Sequence, residues 1–286
     1  MLLCRTIGEI REFVRQARSR GQTVGFVPTM GYFHAGHLTL MRRAKESCDV
    51  VVVSVFVNPL QFGPREDYAR YPRDLERDLA LAREAGVDAV FHPSVAEMYP
   101  PGFATHVEVA GLTECLCGAS RPGHFRGVTT VVTKLFNIVQ PDKAFFGQKD
   151  AQQALVIRRM VQDLNMPLEI VAVPTVREFD GLAMSSRNVY LSPAERQAAL
   201  VIPRSLEAAR RAFAAGERDG GRLADLVRDE LAQVPGAEVD YVEIRSLPDL
   251  KPVDKLDGPA LLALAVRLGG TRLIDNTVLG GPEKLF

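Results

Sequence analysis

Two imidazoles three residues apart, His34 and His37, stand in the stretch "PTMGYFHAGHLTL" of a chain that has five histidines in all. An apolar run leads into the stretch and helical spacing follows it, so both rings fall at the first turn of a helix. Unpaired N–H groups and the positive end of the helix dipole favour an anion there. Gly36 removes a side chain that would stand between the rings and a ligand, and the chemistry this suits is phosphate binding. A zinc site is the alternative, but no third ligand lies nearby in the sequence. Three other segments carry polar groups of the right kind. "NPLQFGP" offers the amides of Asn58 and Gln61, which can hydrogen-bond a hydroxyl or a carboxylate. "FGQKDAQQ" offers Gly147 for close backbone approach, Lys149 as a point charge, Asp150 as a helix cap and Gln153 one turn further on. "REFDGLAMSSRN" sets Ser185 and Ser186 before Arg187, donors able to wrap a triphosphate. Each segment alone also reads as an ordinary polar turn. Three of the four directly follow a predicted strand, and that shared position is the argument for one site.

The elements that must position these groups follow from periodicity. Thr6 and Glu9 form a capping box ahead of a helix whose apolar residues are Ile7, Ile10, Phe13, Val14 and Ala17. "TVGFVPT" is a strand, and a second helix starts near His37. "DVVVVSVFVN" is apolar at nearly every position, as a strand buried on both faces of a parallel sheet must be. "PRDLERDLALAREAG" is a helix stopped by glycine, and "DAVFHPS" is a strand. "VTTVVTKLFNIVQ" and "AQQALVIRRMVQDL" are helices, while "KAFFG" and "LEIVAVPTV" are strands. Alternation of this kind to about residue 176 predicts an α/β fold with a Rossmann-like, doubly wound parallel sheet, whose ligands sit beyond the C-terminal strand ends. The pattern then changes. Ser192 and Glu195 cap one long helix, a second helix covers "RLADLVRDELAQV", and "VDYVEIRS" and "ALLALAVRLGGTRLIDNTVL" read as strands, the latter a pair joined at Gly-Gly. The expected division is therefore a domain over 1–176 and a smaller C-terminal α+β domain over 177–286.

Composition narrows the partners. Lys plus Arg and Asp plus Glu are 35 each in 286 residues, so bulk attraction to nucleic acid or an anionic membrane is not expected. The N-terminal "MLLCRTIGEIREFV" is too short and too charged for a signal peptide, and the longest apolar run is far below membrane-spanning length. The four cysteines, with Cys115 and Cys117 as the only close pair, lack the second pair that a structural zinc site needs. A cytoplasmic protein acting on small molecules is the expectation. With no Walker-type loop and no Gly-x-Gly-x-x-Gly, phosphate chemistry must use the histidine turn.

"HAGH" followed far downstream by "MSSRN" resembles the paired signature of nucleotidyltransferases and class I aminoacyl-tRNA synthetases, which activate substrates with ATP on a Rossmann-like sheet. The longer stretches "PTMGYFHAGHLTL", "VSVFVNPLQFGPREDYARYPRDLERD", "RPGHFRGVTTVVTKLFNIVQPDKAFFGQKDAQQ" and "VPTVREFDGLAMSSRNVYLS" are similar to the pantothenate synthetase (pantoate–β-alanine ligase) family. The likeness runs from about residue 20 to about residue 195. It implies ATP-dependent joining of (R)-pantoate to β-alanine, with AMP and pyrophosphate released. It also implies an ATP site of Met30, Gly31, Tyr32, Phe33, His34, Ala35, Gly36 and His37, then Gly147, Gln148, Lys149 and Asp150, with Val176 at adenine and Met184, Ser185, Ser186 and Arg187 closing over the triphosphate. His37 is the implied proton donor, and His34, Lys149 and Arg187 complete the catalytic set. Gln61 and Gln153 would hold pantoate, Gln61 and Asn58 would meet β-alanine, and Arg121 would lie near the site. Members are usually homodimeric and magnesium-dependent. Where some members carry an acidic pair tied to magnesium, this chain has Arg77 and Asp78; Arg77 binds no cation, which leaves Asp78 as the one candidate ligand of the pair, the alternative being magnesium held mainly by the ATP phosphates. Two rivals remain at this point: a nucleotidyltransferase with a phosphate acceptor, against which the amides of Gln61 and Gln153 argue, and a nucleotide-binding regulator without turnover.

Overall fold

The computed structural model describes residues 1–64, 66–282 and 285–286. In chain order its elements are β1 (Leu2–Cys4), α1 (Ile7–Ser19), β2 (Val24–Thr29), α2 (Ala35–Ser47), β3 (Val50–Val55), α3 (Leu75–Glu84), β4 (Ala89–Phe91), α4 (Val95–Met98), α5 (Leu116–Ser120), α6 (His124–Val139), β5 (Lys143–Gly147), α7 (Ala151–Asp163) and β6 (Glu169–Val173). After these come α8 (Pro193–Ala199), α9 (Val201–Ala214), α10 (Gly220–Ala232), β7 (Ala237–Ser246), β8 (Ala260–Leu268) and β9 (Thr271–Leu279). The chain forms two compact units, one of Met1–Ala110, Arg121–Gly147 and Val156–Val173, the other of Gly111–Ser120, Gln148–Leu155 and Pro174–Phe286.

The first unit is built on a six-stranded sheet in the order β1-β4-β3-β2-β5-β6, every pair parallel. All six residues of β3 are buried, as its unbroken apolar run requires. Alternate residues serve opposite faces. Val27, Val51, Val53 and Val55 join Leu40, Met41 and Ala44 of α2 and Ala82 of α3 in one core, while Phe26 meets Phe136 of α6 edge-on, with centroids 6.3 Å apart. Burying each such side chain stabilises by about 1.5–3 kcal/mol. The chain moves from β2 outward through β3 and β4, then returns to β5 on the other side of β2. The winding therefore reverses between β2 and β5, and the crevice for a ligand opens at their carboxyl ends.

The second unit is a three-stranded antiparallel sheet, β7-β8-β9, backed by α9 and α10. Its core includes Ile202, Leu206, Leu223, Val227, Leu262 and Leu264.

Three expectations are revised. The long helix after Ser192 is two helices, α8 and α9, that part at Leu200. Pro203 supplies the reason, since it has no N–H to donate to the carbonyl of Ala199. The helix expected from Val128 begins four residues earlier, at His124. Strand β1, three residues long, was not foreseen; it pairs with β4 at the sheet edge.

Candidate active site

Leaving β2, the chain turns through Gly31 (φ 85°) and Tyr32 (φ 53°) before α2 begins. The left-handed backbone at Gly31 favours glycine, and a Cβ there would also lie 2.9 Å from both Asp78 Oδ2 and a Val55 methyl. Asp78 fixes the turn. Its Oδ2 accepts the Tyr32 N–H and its Oδ1 the Phe33 N–H, both at 2.7 Å. Arg77 stacks over the Tyr32 ring at 5.1 Å. Burial pushes the Asp78 carboxyl above its ordinary value, against the two backbone donors that pull it down.

The turn delivers both histidines to the start of α2, His34 as N-cap and His37 as the third helical residue. His34 Nδ1 accepts the Gly36 N–H at 3.2 Å, and His37 Nδ1 accepts the His34 N–H at 3.3 Å. A nitrogen that accepts carries no proton, so each neutral ring bears its proton on Nε2. The rings lie against each other with centroids 4.0 Å apart. The result is a pair of N–H donors at a helix N-terminus, an arrangement suited to an anion.

Beside it, beyond β3, Asn58 caps the short turn Pro59–Gln61. Gln61 Nε2 lies 3.3 Å from Met30 Sδ, so the amide and the end of β2 meet. Helix α6 braces this turn from below. His124 Nδ1 is 2.9 Å from the Gln61 carbonyl, and Arg121 grips Glu66 with two bonds of 2.6 and 2.7 Å. Burial alone would raise Glu66, but the Arg121 guanidinium outweighs it and brings the carboxyl down to about 2. Arg121 is thus committed to holding the Gln61–Glu66 loop. Gly127 lets the helix come close, since a Cβ there would sit 2.2 Å from the Leu60 carbonyl oxygen. A cavity of about 280 Å³ opens at the ends of β3 and β4, lined by Met30, Tyr32, Val55, Tyr68, Arg73 and His92 among others.

In the second unit, Asn276 of β9 donates to the carbonyls of Gln148 and Lys149 at 3.0 and 2.9 Å and so fixes the turn that carries Lys149 and Asp150. Lys149 Nζ is 3.6 Å from Asp150 Oδ2. Gln153, half-buried, stands in the first turn of α7, whereas its neighbour Gln152 is spent on structure, bonding Leu112, Cys115 and Cys117 backbone atoms at 2.8–3.0 Å. Val176 and Met184 are paired, the Met184 N–H donating to the Val176 carbonyl at 3.0 Å. Ser185 Oγ accepts the Arg187 N–H at 3.2 Å and starts the turn Ser186–Tyr190. Both the Gln148–Asp150 turn and the Ser186–Tyr190 turn pack on β9. Arg177 closes the base with a bidentate bond to the buried Asp275, at 2.7 and 3.0 Å.

Two expected roles do not fit this geometry. Asp78, 1% exposed, spends its carboxylate on the backbone of the histidine turn and is not presented as a metal ligand. Among the described residues no group of three or more His, Cys, Asp or Glu could hold a metal ion, Cys115 and Cys117 included. Asn58 is also 1% exposed, and its amide is saturated by protein groups, so it does not reach a substrate directly. Sequence reasoning passed over Gly127, His124 and Asn276. The "RPGHFRG" stretch entered only through the family likeness, and nothing local in it says which turn it supports.

A parallel sheet that reverses beside β2, with an imidazole pair capping the helix that follows, defines a doubly wound α/β protein of the nucleotide-handling class. The family model for pantoate-beta-alanine ligase matches residues 2–278. The chain belongs to the pantoate–β-alanine ligase family. A relative named pantothenate synthetase, from Pelotomaculum thermopropionicum, is 69% identical over 280 residues, spanning 98% of this chain and 99% of the relative. The crystal structure of pantothenate synthetase from Thermus thermophilus matches with a TM-score of 0.92 at 53% identity, over 96% of this chain and 98% of that one. The pantoate-beta-alanine ligase of Francisella tularensis, complexed with beta-gamma ATP and beta-alanine, matches with a TM-score of 0.80 at 34% identity, over 97% of each chain. No helix among the described residues is long and apolar enough to cross a membrane.

Proposed function

We propose that this chain catalyses the ATP-dependent condensation of (R)-pantoate with β-alanine, forming (R)-pantothenate, AMP and pyrophosphate through a pantoyl adenylate. Family membership supports the overall reaction. The observation that carries the mechanism is the pair of imidazoles whose Nδ1 atoms both accept backbone N–H groups, which makes Nε2–H the donor edge that meets phosphate oxygens.

A carboxylate is a poor electrophile toward an amine, and coupling it to AMP supplies a leaving group. In the first step a pantoate carboxylate oxygen attacks the α-phosphorus of ATP and the bond to pyrophosphate breaks. Charge builds on the departing diphosphate, and His34, His37, Lys149, Ser185, Ser186 and Arg187 stabilise it, with His37 donating a hydrogen bond through Nε2–H. Preorganised donors of this kind contribute about 3 kcal/mol each to a transition state. In the second step the neutral amine of β-alanine attacks the pantoyl carbonyl, AMP departs, and the amine loses its proton. Gln61 and Gln153 hold pantoate, and Gln61 borders β-alanine. Met30 to His37 and Gly147 to Asp150 line ATP, and Val176 takes adenine through its backbone. Magnesium would be held mainly by the ATP phosphates, where it would offset their charge, as is common for this ion. The part at 177–286 is assigned the role of a lid domain that keeps the adenylate from water, and the part at 1–176 that of binding nucleotide and pantoate. The working form is a cytoplasmic homodimer.

Incubation of the purified protein with ATP and both acids tests the activity. AMP and pantothenate are expected in equal amounts, and only when pantoate and β-alanine are both present. A nucleotide left attached to the product would instead mean transfer to an acceptor, and unconsumed ATP would mean a binding protein. The bracing of Gln61 gives a separate expectation. Gly127→Ala pushes a methyl into the Leu60 carbonyl, so stability falls by about 1–3 kcal/mol and kcat/KM for pantoate drops about tenfold through misplacement of Gln61. Wild-type kinetics for that variant would remove Gln61 from the site.

A further inference from the structure

Tyr99 follows directly on α4 and is remote in sequence from every candidate site residue. Its hydroxyl donates to Asn58 Oδ1 at 2.7 Å, and the Leu60 N–H reaches the same oxygen at 3.3 Å. On the other side of the amide, Asn58 Nδ2 donates to the Gly127 carbonyl and to Gln61 Oε1, each at 3.1 Å. A backbone N–H only donates and a carbonyl only accepts, so the Asn58 amide has one orientation. That orientation sets the next group. Gln61 Oε1 must be the acceptor, and Nε2 is the end turned to Met30 Sδ and the mouth of β2.

We propose that Tyr99 is a positioning residue: the relay Tyr99–Asn58–Gln61 polarises the Gln61 amide so that its NH2, not its carbonyl, meets the substrate. The site then selects an oxygen acceptor at this point, a hydroxyl or carboxylate oxygen of the hydroxy acid. The Gln61 carbonyl, engaged by Asn58 Nδ2, is not the end of the amide turned to the mouth of β2. This rests on the reading of Gln61 as a pantoate-binding residue. The surroundings keep the relay in one state. Phe56 and Phe103 pack on the Tyr99 ring at 6.1 and 5.0 Å. Burial raises the phenol well above its ordinary range, so the hydroxyl keeps its proton and remains a donor. An apolar position at 99 would leave Asn58 Oδ1 with the longer Leu60 bond alone, and the Asn58–Gln61 contact would loosen with it.

Tyr99→Phe keeps the ring and removes the donor. Steady-state kinetics on the full-length variant are expected to show the pantoate KM raised about five- to tenfold, with the ATP KM changed less than about twofold. Exchange of the Asn58 side-chain amide protons with water, followed by NMR, is expected to speed up about tenfold or more in the same variant. Equal rises in both KM values would make Tyr99 merely structural and overturn the proposal, as would an unchanged pantoate KM or unchanged Asn58 exchange. Gln61→Ala separates the underlying reading. If it raises the pantoate KM while Tyr99→Phe does not, the relay fails and the pantoate site stands. If Gln61→Ala leaves the pantoate KM alone, the pantoate reading fails, and faster Asn58 exchange in Tyr99→Phe still establishes the hydrogen-bond chain while its proposed selectivity is overturned.

Discussion

His37→Ala slows adenylate formation about 100- to 1000-fold, as expected for loss of one preorganised donor from the transition state. The ring is placed by its own backbone. Nδ1 accepts the His34 N–H, so the neutral ring carries its proton on Nε2. The charge it meets grows as pyrophosphate leaves, so the loss falls on kcat more than on the ATP KM. Removal of the side chain also undoes half of the reciprocal cap at the start of α2, which costs about 0.5–2 kcal/mol of stability. Asp78 still holds the turn through Tyr32 and Phe33, so the variant folds. Single-turnover formation of the adenylate, alongside thermal unfolding, checks both parts. A rate effect below tenfold would count against a charge-stabilising role.

Lys149→Ala is expected to lower the rate of adenylate formation about 100-fold with little change in stability. The turn that carries this residue is held through main-chain carbonyls by Asn276, and its ammonium makes a loose 3.6 Å contact with the half-exposed Asp150 carboxylate. The side chain can therefore go without loss of the turn. Lys149→Arg should recover only part of the rate, because a planar guanidinium does not replace a compact point charge at the same distance. The same single-turnover assay applies. A threefold effect or less in Lys149→Ala would place the lysine outside the reacting phosphates.

The sheet was legible because its strands announce themselves locally. The buried run of β3 and the capping boxes at Thr6 and Ser192 are written within a few residues of each element. The break between α8 and α9 was missed because a proline near a helix start is tolerated, and only the preceding turn tells whether it continues or restarts a helix. In the site, the histidine pair was legible for the same local reason. His34, Gly36 and His37 bond to one another. Asp78 and Asn58 were assigned to ligands because their real partners are distant in sequence. Asp78 lies 46 residues from Tyr32, and Asn58 lies 41 from Tyr99. A buried polar side chain and a ligand-binding one look alike in sequence, and what distinguishes them is whether the fold has already filled their hydrogen bonds.

Exchange of labelled pyrophosphate into ATP, measured with pantoate present and β-alanine withheld, reads the first chemical step alone. Label should enter ATP at a rate that depends on pantoate and collapses in His37→Ala. If no label enters under those conditions, while pantothenate still forms once β-alanine is added, then the carboxylate is not adenylated first and the assignment of the imidazole pair to a departing diphosphate is wrong.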